Sequence, residues 1–137
     1  MLFFVFSRPL FRFAWSSDLF CLLKNENISL IKIDVEGHEY PILKGAQKVL
    51  SKESLKAIII ETNQNGKKYG IEDSMINNYL LKFGFTASTY DPQKKKLKLL
   101  DKNTWNDGNT IYLRNIDFVN SRISKPSNFK LSTGIVV

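Results

Sequence analysis

Two short runs along the chain are dense in aliphatic and β-branched residues. Each is followed by polar residues and then by a stretch with helical periodicity. The first, Ile28 to Val35, carries Leu30, Ile31, Ile33 and Val35, as suits a strand of a sheet covered on both faces. The second, Leu55 to Thr62, carries Ala57-Ile58-Ile59-Ile60 and ends in Glu61, Thr62 and Asn63. Between them Gly37 permits a tight turn. Pro41 is tolerated only in a first helical turn, which predicts a helix start near His38 or Glu39. Ile42, Ala46, Val49 and Leu50 then form an apolar stripe, widened by Leu43, and Ser51 to Ser54 is the loop. After the second strand comes a loop with Gly66 and Gly70. A helix over Glu72 to Phe83 follows, with Met75, Ile76, Tyr79, Leu80 and Phe83 inward and Gly84 as its stop. Phe85 to Tyr90 reads as a strand, Asp91-Pro92 as a turn, Lys96 to Leu100 as a hairpin partner and Asn109 to Arg114 as a last strand.

Two strand–helix units imply neighbouring parallel strands with right-handed crossovers. The closing strands imply an antiparallel edge. The expected architecture is therefore an α/β mixed sheet, mostly parallel with an antiparallel C-terminal edge. It divides the chain into an atypical N-terminal segment (1–27), the α/β domain (28–115) and a loose tail (116–137) rich in Ser, Asn, Lys and Pro.

At 137 residues the chain holds one domain at most, with 43% hydrophobic and 24% charged residues. The net charge of +7 is concentrated in Lys94-Lys95-Lys96, Lys98, Lys102, Arg122, Lys125 and Lys130. Such a surplus suits either a solvated surface or an anionic partner. No RNA-binding aromatic signature or helix-turn-helix pattern accompanies it, so no nucleic acid is expected. Cys21 is the only cysteine, in the apolar run Leu19-Phe20-Cys21-Leu22-Leu23, and reads as core packing. One histidine and one cysteine do not make a zinc site.

No apolar run reaches the roughly 18 residues that span a bilayer. The N-terminus lacks the features of a secretory signal, which points to a cytoplasmic protein. Ser7 and Pro9 can open a helix whose face of Leu10, Phe11, Ala14 and Trp15, beside Arg8 and Arg12, suits either a membrane surface or packing on the sheet. Asp18 to Lys24 reads as a second short helix.

The candidate chemistry lies where the two strands end. Asp34 and Glu36 stand two apart, on one side of an extended strand with Val35 opposite. Paired carboxylates divide acid and base work, bind Mg²⁺, or cap the next helix. Glu61 and Asn63 end the neighbouring strand and reach the same edge, where they either bind a substrate or satisfy loop amides. His38 is either a base, since imidazole titrates near neutrality, or a surface residue of the first helical turn. Glu39 reads as a helix-start carboxylate favoured by the macrodipole.

The wording of Leu30-Ile31-Lys32-Ile33-Asp34-Val35-Glu36-Gly37-His38-Glu39-Tyr40-Pro41-Ile42-Leu43-Lys44-Gly45-Ala46 resembles the strand-four motif of FkbM-type S-adenosylmethionine-dependent methyltransferases. The order strand–helix–strand–helix–strand–strand is similar to the second half of a class I, Rossmann-like methyltransferase domain. The resemblance covers roughly Ser17 to Asn115 and implies O-methylation of a glycan or small-metabolite hydroxyl. It implies that Asp34, with Gly37 in the turn, sits beside the cofactor. Asp34, Glu36 and His38 would then be catalytic and Glu61 and Asn63 would contact substrate. Such enzymes hold their cofactor with a glycine-rich loop after strand one and an acid after strand two. The first glycine here is Gly37, so neither maps onto this sequence. Three expectations follow. S-adenosylmethionine is the cofactor, but the chain alone binds it weakly or not at all. The missing N-terminal half of such a domain, in another polypeptide, is a candidate partner. The sheet edge that would meet strand one is open and sticky. Two other readings are a non-catalytic interaction module and a carboxylate-based hydrolase or Mg²⁺ enzyme.

Overall fold

The computed structural model describes residues 2–6, 27–105 and 107–124. The suggested helices after Ser7 and over Asp18–Lys24, the amphipathic face at Leu10–Trp15 and Cys21 lie outside the described residues. Among the described residues eleven elements follow one another: β1 (Leu2–Phe6), β2 (Ile28–Ile33), α1 (Glu39–Gly45), α2 (Gln47–Leu50), β3 (Ala57–Thr62), a 3-10 turn (Asn65–Tyr69), α3 (Asp73–Leu81), β4 (Thr86–Asp91), β5 (Lys96–Leu99), β6 (Gly108–Leu113) and α4 (Ile116–Ser124).

The strands form one sheet in the order β1-β2-β3-β6-β4-β5. β2 and β3 are parallel neighbours, Ile31 beside Ile58 and Ile33 beside Ile60, as the two apolar runs predict. The sheet is mixed, as expected, but it is not mostly parallel. β1–β2 and β2–β3 are parallel, whereas β3–β6, β6–β4 and β4–β5 are antiparallel. The reason is where β6 goes. It returns from the β4–β5 hairpin and inserts between β3 and β4. Tyr112 and Thr110 are buried there, so β6 is an interior strand rather than an edge. β3 and β4 both run opposite to β6, so they share a direction with each other and with β1 and β2.

The N-terminal segment gives a second correction. Leu2–Phe6 pairs in parallel with β2, from Leu2 beside Ile28 to Phe6 beside Ile33. The edge of β2 expected to stand open is therefore covered by the chain's own first residues. Their alternative is to leave a row of unpaired N–H and C=O groups. The third correction concerns the tail. Asn115, at φ +62, turns the chain into the helix α4, so a loose tail does not begin at residue 116. The Asn115 side chain helps by accepting the Phe118 N–H at 3.1 Å.

The core lies on the face that α1, α2 and α3 cover. Ile31, Ile33, Ile58, Ile60 and Tyr112 from the sheet meet Leu43, Val49, Leu50, Ile76 and Leu80 from the helices. Leu30, Lys32, Ala57, Ile59 and Glu61, on the alternate positions, are half-buried, so β2 and β3 are not equally covered on both faces. α3 stops where glycine is required. Gly84 has φ +79, and the Phe85 N–H reaches back to the Leu80 carbonyl at 3.1 Å.

At the opposite sheet end, Arg114 gathers loose carbonyls. Its guanidinium donates to the carbonyls of Leu50, Lys52, Leu55 and Phe83 and lies over the Phe85 ring at 4.5 Å. One fork thereby ties the ends of α2 and α3 to the start of β3.

Candidate functional site

The C-terminal ends of β2 and β3 lie side by side, because the strands are parallel and in register. Asp34 and Val35 follow β2 directly, and Glu61 and Thr62 close β3. Asp34 and Glu61 interact electrostatically across the two strand ends. Asp34 is also held from its own strand, since Lys32 Nζ donates to its Oδ2 at 2.9 Å. Residues two apart on a strand share a face, so the Lys32 contact is a direct product of strand geometry.

Glu61 is pushed above the ordinary carboxylate range. Burial is the main cause, followed by the Asp34 charge, the hydrogen bond with Asp34 and the charges of Glu36 and Glu39. Two like charges this close favour a shared proton. The edge thus gathers four acids, Asp34, Glu36, Glu39 and Glu61, at the place where open α/β sheets bind ligands. Among the described residues no group of three or more acids, histidines and cysteines is arranged to hold a metal ion.

Strand alternation does not carry through to Glu36. β2 ends at Ile33, and Glu36 adopts a left-handed conformation at φ +53. Its carboxylate turns to the loop after β3 and accepts from Asn65 Nδ2 at 2.8 Å. The close partner of Asp34 across the strands is therefore Glu61. Gly37, buried at φ +97, lets the two loops touch. A Cβ there would stand 2.7 Å from the Asn65 carbonyl oxygen. Glu39 closes the turn, its buried Oε1 accepting from the N–H groups of Gly37 at 3.1 Å and Val35 at 3.3 Å. That is more than a helix-start charge, because it satisfies two amides that the sharp turn orphans.

His38 packs against Tyr69 of the 3-10 turn, ring centroids 4.4 Å apart and tilted by 52°. Asn63 Oδ1 accepts the Asn65 N–H at 3.1 Å, which shapes the loop after β3. Asp73, buried at the start of α3, accepts the Gln64 N–H at 3.2 Å, and burial raises its pKa despite that bond and the nearby Lys67. A cavity of about 250 Å³ beside this loop is lined by Gln64, Lys67, Glu72, Asp73, Ser74 and Trp105. Asn65, Lys32 and Tyr69 went unnoticed in the sequence. Only Lys32 left a signal there, its i, i+2 spacing to Asp34.

The fold and this edge together define a mixed α/β domain with an acidic edge at the ends of two parallel strands. The sequence model of the methyltransferase FkbM domain matches residues 17–87, just over half of the chain, and the chain belongs to that family. No curated protein and no solved structure matches it. Among the described residues, no helix is long and apolar enough to cross a membrane.

Proposed function

We propose that the chain serves S-adenosylmethionine-dependent O-methyl transfer, with the Asp34–Glu61 edge as the reacting end. The observation that carries this reading is the meeting of Asp34 and Glu61 on adjacent parallel strands, with Glu61 raised toward its protonated form. The succession strand–helix–strand–helix–strand–strand supports it as the second half of a class I, Rossmann-like methyltransferase sheet.

S-adenosylmethionine, when bound, supplies a methyl group already activated on a sulfonium, so the protein's part is positioning and electrostatics. The acids fit the cationic end. Asp34, Glu36 and Glu39 all act electrostatically on Glu61, which makes this edge negative. Among the described residues nothing is identified for the ribose or for the methionine carboxylate. Asp34, held by Lys32, orients the acceptor hydroxyl and takes its proton. Glu61 shares that proton with Asp34. Glu36 and His38 flank the acceptor, and Asn63 shapes the loop beside it. The acceptor is an alcohol of a glycan or a small metabolite.

Gly37 is the first glycine in the sequence, and it serves the turn described above. A glycine loop for the cofactor therefore lies outside these 137 residues. Isothermal titration of the purified 137-residue chain with S-adenosylmethionine tests this, with binding weaker than about 1 mM expected. Micromolar binding by the chain alone overturns the need for a partner. With the complementary half added, Asp34→Ala should reduce methyl transfer far more than cofactor affinity. Equal rates for the two proteins would remove Asp34 from the reaction. The missing glycine loop also favours a second reading, a non-catalytic module that binds the partner without chemistry. Partner binding with no transferred methyl group would select it.

A further inference from the structure

A lysine-lined concavity lies away from the carboxylates, beyond the residues that match the family. A groove of about 500 Å³ is lined by Lys94, Lys95 and Lys96 on the β4–β5 turn and by Asn120, Ser121 and Ser124 on α4. The turn is built rigidly. Asp91 Oδ1 accepts the N–H groups of Gln93 and Lys94, each at 3.0 Å. Asn120 Oδ1 accepts the Leu97 N–H at 3.1 Å, which fastens α4 along the edge strand β5.

Two features point to a ligand rather than to a solvated surface. Lys95 sits in the left-handed region at φ +49, where glycine or asparagine is the unstrained choice. The turn thus places a lysine, rather than glycine or asparagine, at its last residue before β5. Charge is the second feature. Lys94 faces Asp91 at 3.5 Å, whereas the ammonium groups of Lys95 and Lys96 make no ion pair or side-chain hydrogen bond among the described residues. The carbonyl end of α4 offsets only about half a charge. Three ammonium groups against Asp91 and that helix end leave a surplus of about one and a half positive charges. Ser121 and Ser124 donate their hydroxyl protons to carbonyls of their own helix, so the ammonium groups carry the recognition.

The groove also shares an edge with the carboxylates. β4 runs in the direction of β3, so its C-terminal turn lies at the same end of the sheet as Glu61. Glu61 stands beside Asn109. β3 and β4 both pair with β6, so two strand spacings, about 10 Å, separate them, and the turn begins at Pro92 where β4 ends.

We propose that this groove is a phosphate subsite, which binds the phosphate or diphosphate group of the acceptor whose hydroxyl meets Asp34 and Glu61. The subsite stands on its own geometry. Assigning its phosphate to the acceptor rests on the methyl-transfer reading. Titration of the full chain with pyrophosphate at low ionic strength, followed by calorimetry, tests the subsite without any methyl transfer. Saturable binding at one site is expected, weakened at least tenfold in Lys95→Asn/Lys96→Gln. Lys95→Asn alone should leave the melting temperature unchanged or raise it, since asparagine tolerates the left-handed conformation. The charge-matched control Lys48→Gln/Lys82→Gln removes exposed lysines from α2 and from the end of α3, and should bind as the parent does. Equal losses in both double variants, or no saturable binding, would overturn the subsite. Pyrophosphate binding without methyl transfer in the reconstituted enzyme leaves the subsite standing and removes the assignment to the acceptor.

Discussion

Gly37→Ala is the sharpest perturbation of this molecule, because it strikes the point where the β2 and β3 loops touch. Gly37 is buried at φ +97, a conformation that costs an L-residue about 1–2 kcal/mol. The new Cβ would lie 2.7 Å from the Asn65 carbonyl oxygen, 2.8 Å from its carbon and 3.1 Å from the Gly66 nitrogen. All three are backbone atoms, so no side chain can swing away, and overpacking of this kind costs about 1–3 kcal/mol. Relief by moving the loops apart would break the bond from Asn65 Nδ2 to Glu36, which involves a charge and is worth about 1.5–3 kcal/mol if lost outright. Against this, alanine reduces the freedom of the unfolded chain, a gain of about 0.4–1 kcal/mol. Strain and overpacking alone, less that gain, leave a net loss of about 2–4 kcal/mol. Urea unfolding followed by circular dichroism measures it as a drop in midpoint at constant slope. A loss below about 0.5 kcal/mol would refute the close contact of the two loops.

Two other substitutions test the acidic edge and the opposite end of the sheet. Glu61 has its folded-state pKa raised, so its favourable contribution is present below its unfolded-state pKa and is lost as pH rises through the folded value. Glu61→Gln should therefore stabilise the protein at pH 7, with the difference shrinking as pH falls toward and below the unfolded-state value. Denaturant curves at pH 7 and below that value read this directly, and a destabilised variant at pH 7 would contradict the like-charge account. Arg114→Lys keeps one charge but cannot reach four carbonyls, and should lower stability by about 2–4 kcal/mol in the same assay. A lysine variant as stable as the parent would show that the fork is not what ties the helix ends to β3.

The alternation and density of apolar residues were enough to place β2, β3, α1, α3 and the β4–β5 hairpin to within a few residues, because such elements answer to local periodicity. Gly84 and Pro41 marked helix ends for equally local reasons, a left-handed stop and a first-turn proline. The wording from Leu30 to Ala46 was enough to identify the family. The pairing of Asp34 with Glu61 was only partly legible. The parallel strands put both at one edge, but the spacing in sequence favoured Glu36 as the partner. The left-handed turn at Glu36 decided otherwise, and it depends on Asn65, 29 residues away. Tertiary structure alone decided where β6 lies, since insertion between β3 and β4 is a choice among sheet neighbours that no local pattern encodes. The same holds for Leu2–Phe6, an apolar run that gains its role only when it meets the open side of β2. It holds too for the lysine groove, where a charge run that reads as solvated surface becomes a concavity once α4 is fastened beside β5 by Asn120. Short-range order is set by each segment's own residues. Long-range order is set by which surfaces remain to be covered after the segments form.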